Sequence, residues 1–273
     1  EGLSSKTTGQ KFDVTNVALG SFALISILPG TLSYESKSNT AIGYQSLRRN
    51  ITGYRNTAIG NAALNNNTIG NHNMASGNLA LFLNTEGNGN TATGSNALYN
   101  NTTGNSNTAN GRSALYHNTT ASYNTAVGHN SLWSNIEGHD NTAIGLDALY
   151  RNDFGSYNTA NGRNSLRNNI SGEKNTAVGF SSLLSNSTGS NNTASGSFAL
   201  YENETGYSNT ALGHSALYQN TSGHNNTATG DSSLYHNSVG DFNTSNGHVA
   251  LYNNISGGNN TANGAFALLT NTI

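Results

Sequence analysis

The sequence predicts an all-β fold, a parallel β-solenoid (a β-roll or β-helix) of 17-residue coils, on three observations. The glycine of N-T-A-x-G recurs at 43, 60, 77 and onward to 264 at intervals of 17, so about 14 regular coils follow one another without a gap. A fixed short period marks a repeat architecture in which each unit stacks on its neighbours. Each coil also carries Gly and Asn at fixed places, where every Gly would cost a helix about 1 kcal/mol, and no segment keeps a helical period. Finally, the same side chain returns at the same place in each coil. That is expected when parallel strands stack about 4.8 Å apart and lay identical residues into ladders.

Numbering each coil from the Asn of N-T-A assigns a role to each position. Position 1 is Asn from Asn39 to Asn260, position 2 is Thr except at Met74, and position 3 is Ala except at Ser245. Position 5 is always Gly, 8 is Ala or Ser, 9 is Leu, 12 is Asn, and 15 is Gly except at Ala121. Two short extended runs are expected, near positions 1–4 and 8–11, with Gly- and Asn-rich corners between them. Leu at position 9 is the core candidate, and the small residues at 3, 5 and 8 imply a narrow interior. Asn at 1 and 12 suits corners, by hydrogen bonding to backbone and tolerating left-handed geometry. Gly at 5 and 15 offers positive φ. Strict alternation would group positions 7, 9 and 11, yet 7 and 11 hold Asp147, Arg151 and Glu202. Either a bend breaks the alternation, the reading favoured here, or Leu faces a lateral partner.

Two regions follow: an N-terminal extension with an atypical capping or docking coil over 1–38, and the regular solenoid over 39–273. The stretch NVALGSFALISILPG, 16–30, matches the coil at Asn16, Ala18, Gly20, Ala23, Leu24 and Gly30, and six extra residues precede the next coil. Terminal repeats cap an exposed end and are usually polar outside. This one is apolar through Val17, Leu19, Phe22, Leu24, Ile25, Ile27 and Leu28, which makes it a candidate assembly surface for the last coil of another copy.

Composition narrows the functional classes. Asn (49) and Gly (32) dominate, only 9% of residues are charged, and the net charge is −2, with no Lys or Arg after Lys174. Nothing there favours nucleic acid or an anionic membrane as partner. The longest apolar run, FALISIL at 22–28, is far below the ~20 residues of a membrane helix. The absence of Cys leaves the redox compartment open. A start at Glu1 fits a processed, exported protein or a shortened chain. Acids from Glu86 onward scatter over variable positions, and His129, His214 and His248 share position 6 in non-adjacent coils, so neither an acid pair nor a metal set is expected. The expectation is no enzyme and no cofactor.

Three columns invite function. Position 10 carries Phe82, Tyr99, Tyr116, Trp133, Tyr150, Tyr201, Tyr218, Tyr235 and Tyr252, which either stabilise the sheet as neighbours or form a sugar-stacking or lateral-contact stripe. Position 12 carries N-x-[ST] sequons at Asn50, Asn101, Asn118, Asn169, Asn186, Asn203, Asn220 and Asn254. These are candidate glycosylation sites, unless Thr or Ser at position 14 simply suits the turn. Position 2 is a Thr rank of the kind that can order water on ice-binding solenoids, although position 4 beside it is not uniform.

The repeated N-T-A-x-G-x-x-[AS]-L resembles the head repeats of trimeric autotransporter adhesins, the YadA-like β-roll heads, and repeats of some bacterial and phage tail-fibre-like proteins. The resemblance covers 39–273 and, more loosely, 16–30. It implies a left-handed, often trimeric parallel β-roll exposed outside the cell and used in attachment. Neither a coiled-coil stalk nor a tail-fibre chaperone domain accompanies it. The functional expectation is an extracellular, secreted or cell-surface rod, a fibre subunit or adhesin head. It would partner itself (a head-to-tail filament or lateral trimer) and glycans or surface receptors. The alternative is a carbohydrate- or ice-binding solenoid using the Tyr or Thr ladder.

Overall fold

The computed structural model describes residues 15–26 and 36–273. It is all-β, with one three-residue strand per coil and every pairing parallel. The chain divides into two compact units, 1–137 and 138–273. The first holds β1 (Val17–Leu19), β2 (Thr40–Ile42), β3 (Thr57–Ile59), β4 (Met74–Ser76), β5 (Thr91–Thr93), β6 (Thr108–Asn110) and β7 (Thr125–Val127). The second holds β8 (Thr142–Ile144), β9 (Thr159–Asn161), β10 (Thr176–Val178), β11 (Thr193–Ser195), β12 (Thr210–Leu212), β13 (Thr227–Thr229), β14 (Thr244–Asn246) and β15 (Thr261–Asn263). In each unit the strands stack in chain order, like on like: Thr176 faces Thr193 and Ala177 faces Ala194. β1 joins β2 in the same register across the longer spacing, with Ala18 on Ala41, so the strand of the atypical N-terminal coil stacks like those of the regular coils.

Within each strand the Ala of position 3 points inward and is fully buried at Ala41, Ala58 and Ala177, while positions 2 and 4 point outward. Successive strand residues alternate faces, and only a methyl fits the narrow interior. Opposite it lies the Leu of position 9, fully buried from Leu47 to Leu251.

The second extended run expected at 8–11 is absent. After the strand, Gly at position 5 takes φ between 122° and 146° in all fourteen regular coils, and positions 6–11 form consecutive turns. The N–H of Ala63 donates to Gly60 O, and that of Asn67 to Leu64 O, closing two turns in one coil. The bend that separates Leu from its neighbours is therefore a backbone inversion: position 7 sits at φ 51–60° and Leu at 47–53°, both left-handed. That geometry costs a non-glycine residue about 1–2 kcal/mol. It persists because the inversions aim successive N–H groups at neighbouring coils: Ala62 N–H donates to Tyr44 O (2.8 Å) on one side and Leu64 N–H to Ala80 O (2.9 Å) on the other. Burying each Leu adds about 1.5–3 kcal/mol.

The two Asn columns are interior spines, and neither is left-handed. At position 1, Asn192 Nδ2 donates to Gly206 O (2.8 Å) while its Oδ1 accepts the N–H of Asn209 in the next coil (3.0 Å). At position 12, Asn203 Nδ2 donates to the same Gly206 O (3.0 Å) and to Asn186 Oδ1 in the preceding coil (2.7 Å). The carbonyl of position 15 thus accepts from both spines. Gly at 15 relieves crowding rather than supplying φ: a Cβ on Gly70 would lie 2.5 Å from Gly87 O and press on the Asn67 amide. At position 5 the approach is as close, a Cβ on Gly213 lying 2.5 Å from Gly230 O, and φ adds its own strain.

Candidate functional surfaces

The eight candidate glycosylation residues, Asn50, Asn101, Asn118, Asn169, Asn186, Asn203, Asn220 and Asn254, are all 0% exposed. Their Nδ2 atoms, the atoms a glycan would bond, are committed to hydrogen bonds: Asn118 to Asn101 Oδ1 and Ala121 O, Asn220 to Asn203 Oδ1 and Gly223 O. The expectation of a sugar-bearing edge is corrected. A bulky glycan cannot join a side chain that lies inside the coil, and the sequon excess reflects Thr or Ser two residues along in the exposed turn.

The aromatic column forms as a stack. In the first unit Phe82, Tyr99, Tyr116 and Trp133 lie with centroids 5.3, 5.2 and 6.0 Å apart and planes within 16°. In the second, Tyr201, Tyr218, Tyr235 and Tyr252 are spaced 5.0, 4.9 and 5.1 Å. Tyr150 carries the Arg167 guanidinium over its ring at 4.9 Å. All nine rings are half-buried. A sugar stacks on an open ring face, but each interior ring of a column has both faces covered by its neighbours, leaving edges and hydroxyls outward. Ring-to-ring attraction of about 0.5–1.5 kcal/mol per pair makes the column a stabilising element. Burial, then the neighbouring phenols Tyr201 and Tyr252 respectively, push the Tyr218 and Tyr235 hydroxyls above the ordinary tyrosine value, with Glu202 adding to both.

Of the assembly candidates, Val17, Leu19 and Phe22 are exposed at 48%, 40% and 50%, and Ile25 is half-buried. Leu24 belongs to the core at 1% exposed, taking the role of position 9, so it is withdrawn from the surface set. Ile27 and Leu28 lie outside the described residues.

One arrangement escaped the residue-by-residue reading of histidines. Position 6 runs His214, Asp231, His248 in three successive coils, and Asp231 pairs with both, Oδ1 to His214 Nδ1 at 3.0 Å and Oδ2 to His248 Nδ1 at 3.2 Å. Searching along a column, across coils, would have found it. His224 and Asp241 pair similarly at 2.7 Å along position 16. Among the described residues no group of three or more His, Cys, Asp or Glu is placed to hold a metal ion. A shallow cleft of about 480 Å³ runs beside the position-12 spine of the second unit, between Gln219, His236, Asn253 and Thr270 on one wall and Ser238, Ile255 and Thr272 on the other.

No protein-family model, curated protein or solved structure matches the chain.

Proposed function

We propose that the chain is a non-catalytic, extracellular structural or adhesive protein, a fibre subunit or adhesin head that assembles with copies of itself. The observation that carries the reading is the edge strand β1. Among the described residues β1 pairs with β2 alone, in the stacking register of the regular coils, and its outer edge belongs to an apolar coil whose Val17, Leu19 and Phe22 are exposed at its side. Unpaired strand edges recruit further strands, and a coil of the same repeat offers matching ladders. The last coil, 260–273, of one copy then docks on segment 1–38 of the next, and a heterologous contact of this kind propagates instead of closing. The resemblance to adhesin heads and tail-fibre repeats supports attachment outside the cell; it also offers the lateral trimer as rival geometry.

Deleting residues 1–38 tests the reading. The shortened chain keeps its β circular-dichroism spectrum and loses filaments by electron microscopy. Filaments that persist in the deletion overturn the end-to-end contact. A second reading, ordered water on the outward Thr rank of β8–β15, is favoured by the register of Thr176 on Thr193 and Thr210 on Thr227. Inhibition of ice recrystallisation by the purified chain is its measurement.

A further inference from the structure

The walls of the second unit's cleft follow a pattern that the first unit repeats. Positions 10–13 read YQNT (218–221), YHNS (235–238) and YNNI (252–255) over three successive coils of the second unit. Over three coils of the first they read YNNT (99–102), YHNT (116–119) and WSNI (133–136). Each set therefore places an amide and then a histidine along position 11, and two hydroxyls and an Ile along position 13, with the buried Asn spine between the two rows. The histidine is fixed alike in both sets. His236 stands edge-on to the Tyr235 and Tyr252 rings at 4.8 and 4.9 Å, and His117 edge-on to Tyr116 and Trp133 at 4.8 and 4.3 Å. Each also meets the amide of the preceding coil through Nδ1: His236 donates to Gln219 Oε1, and Asn100 Nδ2 donates to His117 at 3.3 Å.

We propose that each of these three-coil sets binds a neutral oligosaccharide along the rows of positions 11 and 13. The inference rests on the adhesive reading above and gives its target a chemical class. An amide oxygen can only accept, so the proton of neutral His236 sits on Nδ1. Its Nε2 is then an acceptor and Gln219 Nε2 a donor, and neither has a partner among the described residues. A donor and an acceptor side by side match the adjacent hydroxyls of a sugar ring, each of which both donates and accepts. In the same cleft the exposed Thr270 and Thr272 hydroxyls make no hydrogen bond to a described residue, and exposed Ile255 offers an apolar contact for the C–H face of a sugar. Of the side chains lining its 480 Å³, none carries a fixed charge and Ile255 alone is wholly apolar. Pockets for apolar small molecules are mostly hydrophobic, so neither an ionic nor an apolar ligand finds its anchor here. The rows repeat every coil, at about 4.8 Å, a spacing close to one sugar unit of an extended chain. The aromatic rings hold the histidine in place; their faces, covered by one another, take no part in the contact.

The test is an array of neutral and anionic oligosaccharides probed with the full chain, followed by calorimetry with the neutral oligosaccharide it retains best. Asn100→Leu/Gln219→Met, which keeps side-chain bulk and removes both amides, weakens that binding by about tenfold or more. The ring-proton signals of His117 and His236 in the wild-type chain shift as the same sugar is added. Retention of no neutral oligosaccharide, retention of anionic ones alone, equal affinity in the double variant, or unmoved histidine signals overturn the proposal. Circular dichroism checks that the variant folds; if it does not, the histidine signals of the wild-type chain decide. Filaments formed by a chain that retains no sugar separate failure of this inference from failure of the fibre reading.

Discussion

Single residues decide whether a coil can stack. Gly213→Ala meets two obstacles, a φ of 138° and a Cβ 2.5 Å from Gly230 O, and is expected to cost about 3 kcal/mol or more. Gly206→Ala lacks the φ strain, and the chain itself carries Ala121 at this position with the Asn118 bond to its carbonyl intact at 2.9 Å; a cost of about 1–2 kcal/mol is expected. Thermal melting of the two variants checks the order, and equal losses would remove the distinction. Asn203→Asp is nearly isosteric but replaces the donor with an acceptor facing Asn186 Oδ1 and Gly206 O. A loss of about 3–5 kcal/mol at neutral pH is expected. The buried carboxyl's folded pKa must lie above its unfolded value. Stability is therefore greatest below about pH 4 and falls as pH rises through the folded pKa. Melting temperatures that rise with pH instead would contradict the donor role of this spine.

The single coil is where sequence and structure part company. Its strand was legible, because N-T-A with Ala pointing inward needs only the period and the small side chain. Its corner was not. Leu, Ser and Ala carry no local preference for left-handed φ, and the hydrogen bonds that hold them there come from adjacent coils. The same distance effect misled the sequon reading: N-x-[ST] is a three-residue signal, whereas the burial of Asn220 is set by coils on both sides. Leu217→Ala removes a fully buried side chain and is expected to cost about 2–5 kcal/mol, read by denaturation. For the aromatic column the expected readout is alkaline. Tyr218 and Tyr235 bind their protons more tightly folded than unfolded, so their contribution is complete below pH 10.0 and is lost as pH rises through their folded values. Absorbance of phenolate during an alkaline titration should show these hydroxyls ionising after the exposed ones, with melting temperature falling over the same range. Ionisation at or below the ordinary value would mean the stack is open to water.

At the scale of the molecule, the proposed self-assembly draws on the same ladders that build the fold, with the apolar N-terminal coil, and not a regular coil edge, as the docking surface. The exposed Val17, Leu19 and Phe22 belong to the coil on which the proposed end-to-end assembly depends. Sedimentation velocity of the full chain over a concentration series tests the central claim most directly. The account predicts a weight-average mass that keeps climbing with concentration, the behaviour of an open, end-to-end assembly. A plateau at a fixed oligomer mass would sink the filament, and a mass that stays at one chain throughout would contradict self-assembly altogether.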